Sequence, residues 1–131
     1  MKIMGRYYSG DIDGKFWFGV QSSNAADRFG VTGIMGTVSE ELEYYFDESD
    51  LESVNKELKS IKDYLGHYLD LLDAFFNKNF AYLIEELAEE LNIEVRKAKS
   101  LLSEYADYLL GIEIRDCIIN EGSCEFKAEL W

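Results

Sequence analysis

The stretch SDLESVNKELKSIKDYLGHYLDLLDAFFN, Ser49 to Asn77, sets Leu51, Val54, Leu58, Ile61, Leu65, Tyr68, Leu72 and Phe75 at alternating intervals of three and four. That is the period of a helix with one apolar face, not of a strand. Ser49 with Glu52 fits a capping box at its start, and Asn77-Lys78-Asn79 marks its end. In the second half Tyr64, Leu69, Leu71 and Phe76 widen the apolar stripe, so this half meets more than one neighbour. The stretch therefore reads as the central core helix, over 50–76. Fewer than four heptads and the other amphipathic segments of the chain favour an intramolecular core, while a coiled-coil homodimer stays open.

Two further helices follow. Phe80, Leu83, Ile84, Leu87, Ala88 and Leu91 define one over 80–91 with Glu85, Glu86, Glu89 and Glu90 outside. Val95, Ala98, Leu102, Tyr105, Leu109 and Ile112 open another over 94–119, in which Gly111 signals a close contact or an early break. Strands flank this helical block. Leu42, Tyr44 and Phe46 alternate against Glu43, Tyr45 and Asp47 in a strand over 41–47, and Cys124, Phe126, Ala128 and Leu130 alternate against Glu125, Lys127 and Glu129 in a strand over 123–130.

At the N-terminus, Asp13-Gly14 lies between two aromatic runs and predicts a hairpin over Gly5–Gln21 with a two-residue loop. Ile12 then faces Lys15, Gly10 faces Trp17 and Tyr8 faces Gly19, with Tyr7, Phe16, Phe18 and Val20 on the core side. Gly30, Gly33 and Gly36 recur without the Gly-Lys-Ser/Thr of a phosphate loop and read as a connector. The expected fold is α+β: a small antiparallel sheet made of the N-terminal hairpin and the strands 41–47 and 123–130, packed on three helices. With 131 residues and no proline, one globular domain spanning 1–131 is expected.

The formal net charge is −13, and residues 1–36 hold four Lys/Arg against three Asp, so the whole acidic excess lies downstream. Seven acids and no base occupy Glu40–Glu52, and five acids lie within 85–94. Such charge repels nucleic acid and anionic membranes and suits a partner protein with a basic surface. No run of about 18 apolar residues is present, which predicts a soluble cytoplasmic protein without a membrane span.

Catalytic signals are missing. His67 is the single histidine and stands one residue off the apolar stripe, with no Ser or Cys placed beside it by any motif. Ser9, Asp11, Asp13 and Gly14 open like a calcium loop, but Val20 stands where the bidentate Glu is required. Cys117 and Cys124 flank a turn with no CxxC or Cys/His grouping and read as reduced thiols. No enzyme activity, metal or cofactor is expected.

Leu87-Ala88-Glu89-Glu90-Leu91-Asn92-Ile93, with Ala98 and Leu101 beyond, resembles the two-helix core of helix-turn-helix DNA-binding domains over about 20 residues. The resemblance implies an alternative function, a small DNA-binding regulator using segment 80–102 and presenting Arg96, Lys97 and Lys99 to the major groove. Asn92 departs from the usual turn glycine, and four outward glutamates oppose phosphate contact. The leading expectation is a non-enzymatic acidic binding protein, an inhibitor or adaptor of the kind phages and viruses deploy. It would dock on the basic, nucleic-acid-binding surface of a partner protein through Glu40, Glu41, Glu43, Tyr45, Asp47, Glu85, Glu86, Glu89 and Glu90, with Tyr8 and Trp17 as aromatic contacts.

Overall fold

The computed structural model describes residues 7–19, 21–36, 40–78 and 83–130. Helix α4, Val95–Glu121, is the element on which the others converge: α1 (Leu51–Leu65), α2 (Tyr68–Lys78), α3 (Ile84–Leu91) and the last strand β5 (Ser123–Glu129) all pack against it. It buries Ala98, Leu101, Leu102, Tyr105, Ala106, Leu110, Gly111, Ile114 and Ile118. A helix covered on several sides has apolar residues around much of its circumference and no single stripe. The stretch 49–77, whose stripe is cleaner, is a flanking layer and not the centre. Gly111 marks a close contact: a Cβ there would lie 2.5 Å from Cε1 of Phe29 and 2.6 Å from Cδ2 of Leu58.

The helix expected over 50–76 is two helices. The chain breaks at Gly66, whose φ of 54° and ψ of −134° suit a residue without a Cβ. The three-four pattern survives because Leu65 ends one helix and Leu69, Leu72 and Phe75 are buried by the next. The start also differs. Asp47, not Ser49, is the cap: its carboxylate accepts from Ser49 N at 2.9 Å, and Asp50 Oδ2 accepts from Asp47 N at 2.9 Å. This box opens a 3₁₀ turn, Glu48–Asp50, that runs into α1.

Helix α3 begins at Ile84, with Glu86 Oε1 accepting from Leu83 N at 3.1 Å; positions 80–82 of the predicted helix lie outside the described residues. Asn92 ends it in the left-handed region, φ 57° and ψ 49°, which asparagine tolerates better than most side chains.

Among the described residues the sheet has five strands, β1 (Tyr7–Gly10), β2 (Gly14–Lys15), β3 (Ile34–Met35), β4 (Glu41–Asp47) and β5, in the order β2-β1-β5-β4-β3 with every pairing antiparallel. Both alternating strands stand where their pattern puts them, with Tyr44, Phe46, Cys124, Phe126 and Ala128 buried on the helices. β4 is not an edge: β3, drawn from the glycine-rich connector, covers part of its outer side.

The hairpin register differs from the expected one. Tyr7 pairs with Lys15 and Tyr8 with Gly14, so the loop is wider than Asp13-Gly14. The connection is pinned to β5, since Asp11 N donates to Glu125 O at 2.8 Å and Glu125 N donates to Asp11 Oδ2 at 2.9 Å, while Ile12 turns inward and is buried. Gly10 therefore lies across from Phe126 instead of Trp17. Tyr8 takes the core position and stacks on Phe16 at 4.1 Å, leaving Tyr7 exposed and Phe18 half-buried. Positions 5, 6 and 20 of the predicted hairpin lie outside the described residues.

Candidate functional site

Alternation along β4 and β5 sends one set of side chains into the core and leaves the other on an outer face that solvent reaches. Cross-strand partners share a face, so the register assembles that surface row by row. Ile34, Glu43, Lys127 and Ser9 form one row across β3, β4, β5 and β1. Tyr45 opposite Glu125 forms the next, and Glu41 opposite Glu129 the one on the other side. Tyr7 N donates to Glu129 Oε1 at 2.8 Å, which brings an exposed tyrosine to that end. A hollow of about 530 Å³ on this face is lined by Ser9, Gly10, Asp11, Glu43, Glu125 and Lys127.

The expected binding residues divide. Glu40, Glu43 and Tyr45 are exposed on or beside this face, and Glu41 is half-buried within it. Asp47 is committed to its cap, and its two bonds from Ser49 hold its carboxyl below the ordinary range. Glu85, Glu86, Glu89 and Glu90 are exposed on α3, which packs on α4 and α2 and belongs to a different layer from β4. The two acidic segments are thus two patches, and not one site. Tyr8 is a correction: it is 2% exposed, and its hydroxyl donates to Gln21 Oε1 at 2.9 Å. Trp17 is half-buried against the core, with its ring 5.9 Å from that of Tyr8.

A polar cluster that the sequence did not signal ties the layers together. Arg28, in the 3₁₀ turn Ala25–Phe29, donates to Glu57 at 2.7 Å, to Glu104 at 2.9 and 3.1 Å and to Asp107 at 2.8 Å. Gln21 Nε2 donates to the other Asp107 oxygen at 3.0 Å. Burial pushes the Asp107 carboxyl up, opposed by its bonds from Gln21 and Arg28. Nearby, Tyr44 Oη and Gly33 N both donate to Asp27 Oδ1, at 2.5 and 3.0 Å. Arg28's partners are 29, 76 and 79 positions away, a separation that no local pattern reports. The cluster holds a guanidinium bonded to three carboxylates and no nucleophile, which makes it a staple between layers.

Elsewhere the chemistry is sparse. His67 is exposed in the α1–α2 turn, its ring 4.1 Å from that of Tyr68. Cys117 and Cys124 are free thiols with pKa values pushed up by burial, and Cys117 Sγ donates to Ser123 O at 3.3 Å. Among the described residues no three His, Cys, Asp or Glu are grouped to hold a metal ion, and no helix is long and apolar enough to cross a membrane. Arg96, Lys97 and Lys99 are exposed at the start of α4, with Lys97 Nζ 6.0 Å from the Tyr68 ring centre.

No protein family, curated protein or solved structure matches this chain. The reading of its surface consequently rests on geometry and charge alone.

Proposed function

We propose that this chain is a non-enzymatic acidic binding protein of the cytoplasm, an inhibitor or adaptor that docks on the basic surface of a partner protein. One observation carries this reading. The best-placed cation, Arg28, is used internally by three carboxylates, whereas Glu40, Glu43, Glu85, Glu89 and Glu90 stand exposed in two rows. Exposed charge predominantly of one sign speeds encounter with an opposite surface and rejects like-charged ones. Surfaces that bind nucleic acid are basic and fit that requirement.

The test is affinity capture from the source cell with the wild-type chain and with Glu40→Lys/Glu43→Lys/Glu125→Lys side by side. A basic protein should be retained by the first, released by salt and lost with the second. Retention by both would remove the basis of the reading.

A second reading rests on the left-handed turn at Asn92, which lets α3 and α4 meet as a helix-turn-helix does. A DNA regulator should shift duplex DNA at low salt and lose that shift on Lys97→Glu.

A further inference from the structure

We propose that the outer face of the sheet, and not the glutamate face of α3, is the docking surface, and that its occupant is an arginine-rich protein surface. This inference rests on the function proposed above and locates it. Both patches carry acids, so charge does not separate them; exposed apolar area does. Ile34 is 69% exposed and Tyr45 55%, and both point from the same face as Glu43 and Glu125. Tyr7 adds a third anchor at 42%. Beside the glutamate face of α3, the described residues offer one such side chain, Leu83 at the N-cap, 63% exposed, and the outer side of the helix itself offers Glu85, Glu86, Glu89 and Glu90.

Interface energy is concentrated in a few aromatic and aliphatic anchors surrounded by polar groups that exclude water, and long-range charge alone gives speed with little affinity. The sheet face combines three anchors, two of them aromatic, with its carboxylates; α3 sets a single aliphatic side chain, Leu83, at one end of its glutamates. The occupant's chemistry follows from the carboxylates beside the anchors, Glu43 opposite Ile34 and Glu125 opposite Tyr45. Guanidinium suits them better than ammonium, because it pairs with a carboxylate through two parallel bonds and stacks on a tyrosine ring such as that of Tyr45. A second copy of the chain would bring these carboxylates against their own kind.

The experiment follows amide NMR shifts of the full chain while an oligoarginine peptide is added at low salt, alongside light scattering of the free protein. The expected result is a saturable change centred on Ile34, Glu43, Tyr45, Glu125 and Lys127 in a monomer, weakened at least tenfold by Tyr45→Ala with an unchanged melting temperature. Changes centred on Glu85–Glu90, or spread evenly over all acids, would overturn the location while leaving an acidic binding protein intact. A dimer that Tyr45→Ala dissociates would assign the face to a second copy. The absence of any saturable change would defeat both the location and the function on which it rests.

Discussion

Glu43 and Lys127 face each other across the β4–β5 pairing, in the middle of the sheet's outer face. An opposite-charge cross-strand pair stabilises a sheet by about 0.2–1 kcal/mol, and it also lowers the negative potential that the face presents. Lys127 therefore works for the fold and against attraction of a basic partner. Lys127→Glu should cost stability, by about 0.2–1 kcal/mol for like charges placed opposite, yet speed association with that partner. Thermal melting and stopped-flow association measured on the same variant check the two opposite signs.

Gly111→Ala should destabilise, although helix propensity alone favours alanine by about 1 kcal/mol. The added methyl would meet Phe29 and Leu58, both buried and unable to retreat. Overpacking of this kind costs about 1–3 kcal/mol. A denaturant midpoint below the wild-type value confirms the crossing of α1, α4 and the Ala25–Phe29 turn, whereas a higher one would show the glycine to be incidental.

Arg28→Met should leave Glu57, Glu104 and Asp107 facing one another. Breaking a fully buried pair costs about 3–5 kcal/mol, and partial exposure of this cluster reduces that to about 2 kcal/mol. The deficit should narrow on acidification. In the variant the Asp107 carboxyl, already raised by burial, rises further above its unfolded value, so the native state takes up the proton first. Stability relative to wild type then recovers as pH falls below about 5. Chemical denaturation at neutral and acidic pH reads the difference.

Tyr44 and Tyr105 should stay protonated throughout the folded range. Burial raises both phenols above the ordinary value, and their hydrogen bonds to Asp27 and Asp73 add to it. With folded values above unfolded ones, the native state keeps protons that the unfolded chain loses, so stability falls as pH climbs past about 10. Tyrosinate absorbance should rise first for exposed tyrosines, with the last part appearing only as the protein unfolds. A single transition near the free value would refute the two bonds.

The strands 41–47 and 123–130 were legible because one-sided burial writes itself as alternation; Leu42, Tyr44 and Phe46 against Glu43 and Tyr45 needed no long-range knowledge. The exposed acids of the candidate surface were legible for the same reason. The hairpin register was not, because Asp11 takes its place from bonds to Glu125 of β5, 114 positions along the chain, and Ile12 from burial in the core. The break at Gly66 was hidden by a period that both halves obey, and the centrality of α4 by burial on several sides, which erases a stripe. Tyr8 was misread as surface through that register, since a shift in pairing exchanges the faces of Tyr7 and Tyr8.

The central claim is most directly tested by the association rate constant of the captured partner across ionic strength. Three chains are compared: wild type, Glu43→Lys/Glu125→Lys on the sheet, and Glu85→Gln/Glu89→Gln/Glu90→Gln on α3. The wild-type rate should fall steeply as screening shortens to about 8 Å at physiological salt. The sheet variant should start at least an order of magnitude slower, with a flattened dependence, and the α3 variant should keep most of the wild-type rate. A wild-type rate indifferent to salt and unchanged in the sheet variant would contradict the account, and would reduce the acidic surface to a solvated coat.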